Sequence, residues 1–379
     1  MDGDQMVLVT GGSGFLGGWC LVELLRRGYR ARTTIRDLSR EQEVRASVRS
    51  EVDAEDRLEV RAADLTRDQG WAEAIEGCDY VLHVASPFPP AQPKDPDELI
   101  VPARDGTLRV LRESLAAGVG RVVVTSSVAA VRHGGNSGRP GRELTELDWS
   151  DPDNLELSPY VRSKTIAERA AWDYMRAEGA EEKLVTVQPG AIIGPVLGRD
   201  RSYSLQAVER MLTGRMPGLP ALGFSFIDVR DVAALEVGAL TAPEAAGQRL
   251  IAAGRFLWLS DVAAILRERL GPDARKVPRR RVPNVVVRAM ARFDPEVRSV
   301  TGDLGVKTAY SMENAERRVG WSPRPVEETI VECARSLLGQ SAAAPAASPA
   351  STGQPRLTWA ASSGRAHGPV LSVHRMFTR

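Results

Sequence analysis

Tyr160 and Lys164 lie four residues apart in Ser158-Pro159-Tyr160-Val161-Arg162-Ser163-Lys164, a stretch that opens like a helix. Residues at i and i+4 share a helix face, so an ammonium can sit beside a phenol and favour its ionised form. A tyrosine of ordinary pKa, about 10, exchanges protons poorly at neutral pH. A neighbouring cation brings it toward the range where acid–base catalysis works best. The chain holds five lysines, at 94, 164, 183, 276 and 307, so a lysine at this spacing is a rare composition event. An isolated Tyr-x-x-x-Lys is still common on helices and usually structural. Its weight changes because of a second motif near the start of the chain.

That motif is Thr10-Gly11-Gly12-Ser13-Gly14-Phe15-Leu16-Gly17. Met6-Val7-Leu8-Val9 before it reads as a buried parallel strand. After it, Phe15, Leu16, Leu21, Leu24 and Leu25 fall near helical spacing, and Gly28 closes the segment as a C-cap would. Glycines between a strand and a helix are the context a dinucleotide-binding turn requires. Gly11 permits the tight turn, Gly14 lets backbone approach a pyrophosphate, and Gly17 permits close packing of the helix. Free N–H groups and the helix dipole then favour phosphate. The plain alternative is a glycine-rich loop without a ligand. The two motifs together point to hydride transfer, with a proton from the tyrosine.

Cofactor choice turns on the end of the second strand, Ala31-Arg32-Thr33-Thr34-Ile35-Arg36-Asp37. An acid about 20 residues after the glycines usually holds a ribose 2′-hydroxyl, whereas an arginine accommodates a 2′-phosphate. Arg36 stands at that point and selects NADP(H). Asp37 keeps NAD(H) possible, since a small shift of the strand end would present it instead.

The elements that must position these groups alternate as strand and helix through the first two-thirds of the chain, predicting an α/β fold with a doubly wound parallel sheet. Further strands are expected at 58–62, 80–85, 121–127 and 184–187, with helices at 71–75 and 99–117. Ser158-Pro159 supplies a serine N-cap and a first-turn proline for the tyrosine helix. Phe226-Ile227-Asp228-Val229 and a helix from Asp231 to about Leu240 are expected to return to the main sheet. The predicted division is 1–190 plus 226–250 for the dinucleotide-binding domain and 191–225 plus 251–338 for a smaller, mostly helical substrate domain. Residues 339–379, rich in Ala, Ser and Pro at their start, are expected to be a disordered low-complexity tail.

Composition narrows the classes. Lys plus Arg is 50 and Asp plus Glu 49, so no bulk charge draws the chain to nucleic acid. No apolar run reaches the roughly 18 residues of a membrane helix, and no membrane partner is expected. Cys20, Cys78 and Cys333 are odd in number and far apart, which gives neither a disulfide framework nor a metal spacing. The acidic start, Met1-Asp2-Gly3-Asp4-Gln5, differs from a secretory signal, and a reducing cytoplasm is expected. His83 reads as a packed core imidazole. No Gly-x-Ser-x-Gly nucleophile elbow appears, which disfavours a hydrolase.

Thr10 to Gly17, Arg36-Asp37, His83-Val84-Ala85-Ser86-Pro87, Thr125-Ser126-Ser127 and Tyr160-Val161-Arg162-Ser163-Lys164 resemble the extended short-chain dehydrogenase/reductases. The likeness spans about residues 6–338 and includes Arg230-Asp231-Val232 and Gly320-Trp321-Ser322-Pro323-Arg324. Within that superfamily the chain is most similar to the dihydroflavonol-reductase-like aldehyde and ketone reductases. The resemblance implies a Rossmann-type fold and a catalytic set of Ser127, Tyr160 and Lys164. Tyr160 would be the proton donor, Lys164 would contact the nicotinamide ribose and lower the tyrosine pKa, and Ser127 would hydrogen-bond the substrate carbonyl. Ser126 competes for Ser127's role, because the register of a strand exit is not fixed by sequence. Gly11, Ser13, Gly14, Phe15, Leu16 and Gly17 would hold the cofactor together with Arg36. Asp64 and Leu65 would flank the adenine, and Val84, Ala85 and Ser86 would line the cleft.

The function implied is NADPH-dependent reduction of a small aldehyde or ketone, by a monomer or homodimer. The alternative is a nucleotide-sugar epimerase or dehydratase using tightly held NAD, since the same trio serves that chemistry. A cofactor-sensing protein without turnover is a further alternative, disfavoured because it has no need of Tyr160 and Lys164. Phe88, Tyr203, Met211, Met216, Phe224 and Phe226 fit a partly apolar substrate pocket, although such residues more often pack a core.

Overall fold

Every residue of β1 (Met6–Thr10) is buried, so both faces of this strand are covered, as its unbroken apolar run requires. The computed structural model describes residues 4–54, 56–87, 95–135, 142–198, 203–293, 297–298 and 300–343. Phe88, the Tyr203 side chain and the tail from 344 onward lie outside the described residues.

From β1 the chain turns into α1 (Phe15–Arg26) and then alternates through β2 (Arg30–Ile35), α2 (Glu41–Arg49), β3 (Leu58–Ala62), α3 (Trp71–Ile75), β4 (Tyr80–His83), α4 (Asp97–Ala116) and β5 (Arg121–Thr125). A two-residue strand, β6 (Glu143–Leu144), precedes α5 (Pro159–Ala177) and β7 (Leu184–Pro189). Beyond these lie β8 (Ala191–Ile193), α6 (Tyr203–Thr213), β9 (Gly223–Asp228), α7 (Val229–Thr241), β10 (Gln248–Ala252), β11 (Arg255–Trp258), α8 (Leu259–Leu270), α9 (Asn284–Met290) and β12 (Ala309–Tyr310). Helices Glu313–Val319 and Val326–Ala343 follow.

The main sheet has seven strands in the order β10-β7-β5-β4-β1-β2-β3, every pairing parallel. Strand order reverses between β1 and β4, and in open parallel sheets such a switch point opens a crevice at the carboxyl ends of the strands. One face of the sheet is covered by α1 and α7 through Trp19, Leu21, Val232 and Leu235. Trp71, Leu111, Trp172 and Met175 cover the other, from α3, α4 and α5. This is the doubly wound arrangement expected from the alternation.

The second layer differs from expectation. Phe226 to Asp228 do not rejoin the main sheet; β9 pairs parallel with β8 and antiparallel with β11 in a separate three-stranded sheet. What returns is α7, packed on α1, and then β10, which forms the sheet edge beside β7. The C-terminal portion thus carries a small sheet besides its helices, around a core that includes Leu205, Met211, Phe226, Leu257 and Leu266. Met211 and Phe226 are core residues here, and Met216 and Phe224 pack against the same cluster, so these four serve packing. Strand β12 pairs with β6.

Main and small sheets are joined by chain continuity at two places. β7 runs into β8 across Gly190, and β10 into β11 across Ala253-Gly254. A Cβ on Gly190 would run into the carbonyl oxygens of Ser225 and Ala253, and one on Gly254 (φ +69°) into that of Phe226. Side chains are therefore excluded at both joints by close backbone approach.

Candidate active site

Because the sheet is parallel, the segments leaving β1, β2, β3, β4 and β5 emerge on one edge. They carry the glycine turn, Arg36, Asp64-Leu65, Val84-Ala85-Ser86 and Ser126-Ser127, so the sequence-predicted residues converge.

Gly11 has φ +74°, a left-handed conformation, and a Cβ there would lie 3.0 Å from that of Ala85. A Cβ on Gly17 would collide with the Gly11 carbonyl oxygen, so the first turn of α1 packs on the glycine turn itself. Gly14 is the N-cap of α1; it offers no side chain to the first N–H groups, and the first turn holds no acidic residue. A Cβ on Gly14 would meet only the Gly11 carbonyl within 4 Å, which leaves the approach to that helix end open. These features fit a dinucleotide pyrophosphate: uncapped donors, the positive helix end and room for backbone contact. Ser13, Gly14 and Phe15 line a small cleft with Glu43, Val44, Ser47, Leu197 and Gly198. Leu16 turns its side chain into the core, so only its backbone is left for a ligand.

At the end of β2 the two candidate residues separate. Asp37 accepts a hydrogen bond from the Ser39 amide at 2.9 Å and caps a short 3₁₀ turn; the Ser39 hydroxyl, and then this amide, hold its carboxyl below the usual range. Arg36 is exposed, and its field, behind the Thr66 bonds, also lowers Asp64. Asp64 accepts from the Thr66 amide and hydroxyl, both at 2.9 Å, and the Leu65 carbonyl accepts from Arg109. Val84, Ala85 and Ser86 are half-buried, and the Ala85 amide donates to Thr10 Oγ1 at 3.0 Å. His83 is buried, 3.0 Å from the same Thr10 hydroxyl, and burial pushes its pKa down to about 3. It is a neutral packed imidazole, as the sequence predicts.

Helix α5 starts as its sequence requires. The Ser158 hydroxyl accepts from the Val161 amide at 3.3 Å, and Pro159 occupies the first helical position. Ala167, Ala171, Trp172 and Met175 are buried and fix the rotation of the helix. Tyr160 and Lys164 then point to the end of β5. The Tyr160 phenol lies beside the Ser127 hydroxyl, and Lys164 Nζ donates to the Thr125 carbonyl at 3.5 Å. Ser127 Oγ also accepts from the Ala129 amide at 3.1 Å. Ser126 turns the other way, donating to Glu168. Of the two serines, Ser127 is the one beside the phenol.

The electrostatics depart from the simple expectation. Burial pushes the Tyr160 phenol above its ordinary pKa, and the Ser127 bond only partly offsets this. Lys164 is itself drawn down to about 8 by burial, against the pull of Glu168 and Glu236. Removing the phenol from water disfavours its ionised form, and the Ser127 hydroxyl does not make up the loss.

The sequence reading missed the residues behind Lys164. Glu168, 2% exposed, accepts from Thr186 at 2.9 Å, Gln188 at 2.6 Å and Arg249 Nε at 2.8 Å. Arg249 lies 3.6 Å from the Trp149 ring centroid. Glu168 stands at i+8 from Tyr160, on the face that Tyr160 and Lys164 share, and that spacing was the available signal. A small pocket lies between this group and β4, lined by His83, Thr107, Ser126, Lys164 and Glu168.

Residues 7–254 match the profile of the NAD dependent epimerase/dehydratase family. A cinnamoyl-CoA reductase of Medicago truncatula is 35% identical over 268 residues, covering 70% of this chain and 80% of that protein. A dihydroflavonol 4-reductase of Zea mays is 33% identical over 271 residues, covering 69% and 74%. The crystal structure of yeast methylglyoxal/isovaleraldehyde reductase complexed with NADPH superposes with a TM-score of 0.73 at 22% identity, over 89% of this chain and 99% of that one. The last likeness is one of fold.

Proposed function

The chain belongs to the NAD dependent epimerase/dehydratase family, within the extended short-chain dehydrogenase/reductases, and from that membership we propose that it is an NADPH-dependent reductase of aldehydes or ketones. The observation that carries this reading is the meeting of Ser127, Tyr160 and Lys164 at the end of β5, on the edge of the sheet where the glycine turn opens. Similarity at 35% and 33% identity to proteins named as reductases supports it.

The dinucleotide would supply, when bound, the hydride for the carbonyl carbon. Tyr160 would hand the proton of its hydroxyl to the carbonyl oxygen. Ser127 Oγ would donate a hydrogen bond to the same oxygen and stabilise the charge developing there. A carbonyl oxygen placed between the two hydroxyls would accept a hydrogen bond from each. Lys164, held at the Thr125 carbonyl, favours ionisation of the phenol as the proton leaves. Gly11, Ser13, Gly14 and the N-terminal amides of α1 would take the pyrophosphate, and Arg36 the 2′-phosphate. Asp64 and Leu65 would border the adenine, with Val84, Ala85 and Ser86 as the wall of the cleft.

The test is NADPH consumption against a panel of aliphatic, aromatic and flavonoid carbonyl compounds. At least one compound should be reduced by the wild type, and Tyr160→Phe should lower turnover by about 10²–10⁴-fold with NADPH affinity largely retained. Undiminished turnover in the variant, or no consumption with any compound, rejects the reading.

A further inference from the structure

Glu236 lies on the inner side of α7 with 0% exposure, facing α1 and β5. Its Oε1 accepts a hydrogen bond from Thr125 Oγ1 at 2.6 Å, and its Oε2 one from the Cys20 thiol at 3.4 Å. Thr125 therefore makes two connections. Its hydroxyl binds Glu236, and its carbonyl oxygen accepts from Lys164 Nζ at 3.5 Å. A single residue of β5 separates a buried carboxyl from the site lysine.

A buried carboxylate is costly unless a cation offsets it, and the cation whose field acts on Glu236 is Lys164. The reverse also holds. Of the two carboxylates acting on Lys164, Glu168 already pairs with Arg249, which leaves Glu236 as the acid without an ion pair of its own among the described residues. The surrounding groups do not change this picture. Cys20 faces it from α1, and burial with Glu236 drives the Cys20 thiol up, so it stays a neutral donor; Glu23, which also acts on Cys20, pairs with Arg27. His83 on β4 faces Lys164 and is neutral. Arg121 on β5 bonds the carbonyls of Ala239 and Ala242 farther along α7, and Arg27 that of Ala234. Burial moves the carboxyl up to about 7 and the lysine down to about 8, so the two titrate close together.

We propose that Glu236 is a positioning residue for the reduction, a buried counter-charge that acts through Thr125 to keep the Lys164 ammonium charged and held at the site. The proposal rests on the reductase reading for its purpose, but its geometry can be tested without turnover. In the ligand-free protein, acylation of Lys164 by acetic anhydride, followed by peptide mass spectrometry with Lys183 as internal reference, reports how much neutral amine is present. Glu236→Gln should raise the Lys164 rate near neutral pH by about tenfold, equivalent to one pKa unit, and Glu236→Asp should restore most of the protection. The alkaline limb of the kcat/KM profile should move to lower pH in the Gln variant and return in the Asp variant. A role confined to packing would lower thermal stability and leave both readouts in place.

If Glu236→Gln does not fold, Thr125→Val keeps the carbonyl that holds Lys164, removes the hydroxyl bond and should shift the labelling in the same direction. Cys20→Ala should shift neither readout. Unchanged labelling in a folded Glu236→Gln or Thr125→Val protein overturns the proposal. Shifted labelling without carbonyl reduction would instead reject the reductase reading alone.

Discussion

Glu168 on α5 and Arg249 on β10 form an ion pair at 2.8 Å with side-chain exposures of 1% and 9%. Arg249 also donates to the Asp148 carbonyl at 2.9 Å, and Glu168 accepts from Ser126, Thr186 and Gln188. The pair therefore ties the helix bearing Tyr160 and Lys164 to β5, β7 and β10. Arg249→Met removes the cation and strands a carboxylate in the interior. Breaking a buried pair this way costs about 3–5 kcal/mol, so the urea midpoint should fall steeply. A loss within error of wild type would show that Glu168 is adequately held without Arg249.

The two serines leaving β5 should separate in kinetics. Ser127→Ala removes the hydroxyl beside the phenol and should lower kcat by about 10²-fold or more, by analogy with loss of one oxyanion donor. Ser126→Ala removes a donor from buried Glu168 and should act mainly on stability, by about 1–3 kcal/mol. Steady-state kinetics and urea unfolding of both variants check the pair. Equal kinetic losses would reject the assignment of Ser127.

At the end of β2, Asp37 is engaged with the Ser39 amide while Arg36 is exposed. Arg36→Ala should weaken NADPH binding by about tenfold to a hundredfold, the scale of a hydrogen bond to a charged group, and leave NADH binding nearly unchanged. Asp37→Asn should change neither much. Fluorescence titration gives the dissociation constants. Tighter binding of NAD(H) than NADP(H) by the wild type would favour the nucleotide-sugar chemistry instead.

Glu236 should leave a mark on stability as well. Unfolded, a glutamate titrates near pH 4.3, at roughly its unperturbed value; in the folded chain it holds its proton up to about 7. Between those values the folded state binds more protons than the unfolded state, so stability falls as pH rises and levels off above the window. Glu236→Gln lacks this slope and should gain on the wild type as pH is raised across the window. Urea midpoints of both proteins at its two ends check this, and a constant difference would contradict it.

Much of the site was legible because it is local. Gly11, Gly14 and Gly17 sit between a strand and a helix in sequence, and Ser158-Pro159 caps the helix carrying Tyr160 and Lys164 at the expected residue. What escaped depends on distant partners. Phe224 to Asp228 reads as a strand in either sheet, and only pairing with β8 and β11 decides which. Ser126 and Ser127 are equivalent until Glu168, 42 residues from Ser126, claims one of them. The Tyr160 pKa rises because tertiary burial removes its water, which i,i+4 spacing does not report. Arg249 and Glu236 gave no motif, since their partners lie far away along the chain.

The joints at Gly190 and Gly254 bear on how this protein opens. Backbone fills the space beneath both, and they stitch the small sheet to the large one along two adjacent seams. Any movement of one sheet against the other has to bend the backbone at these two crossings, and a methyl group added at either would pry the layers apart.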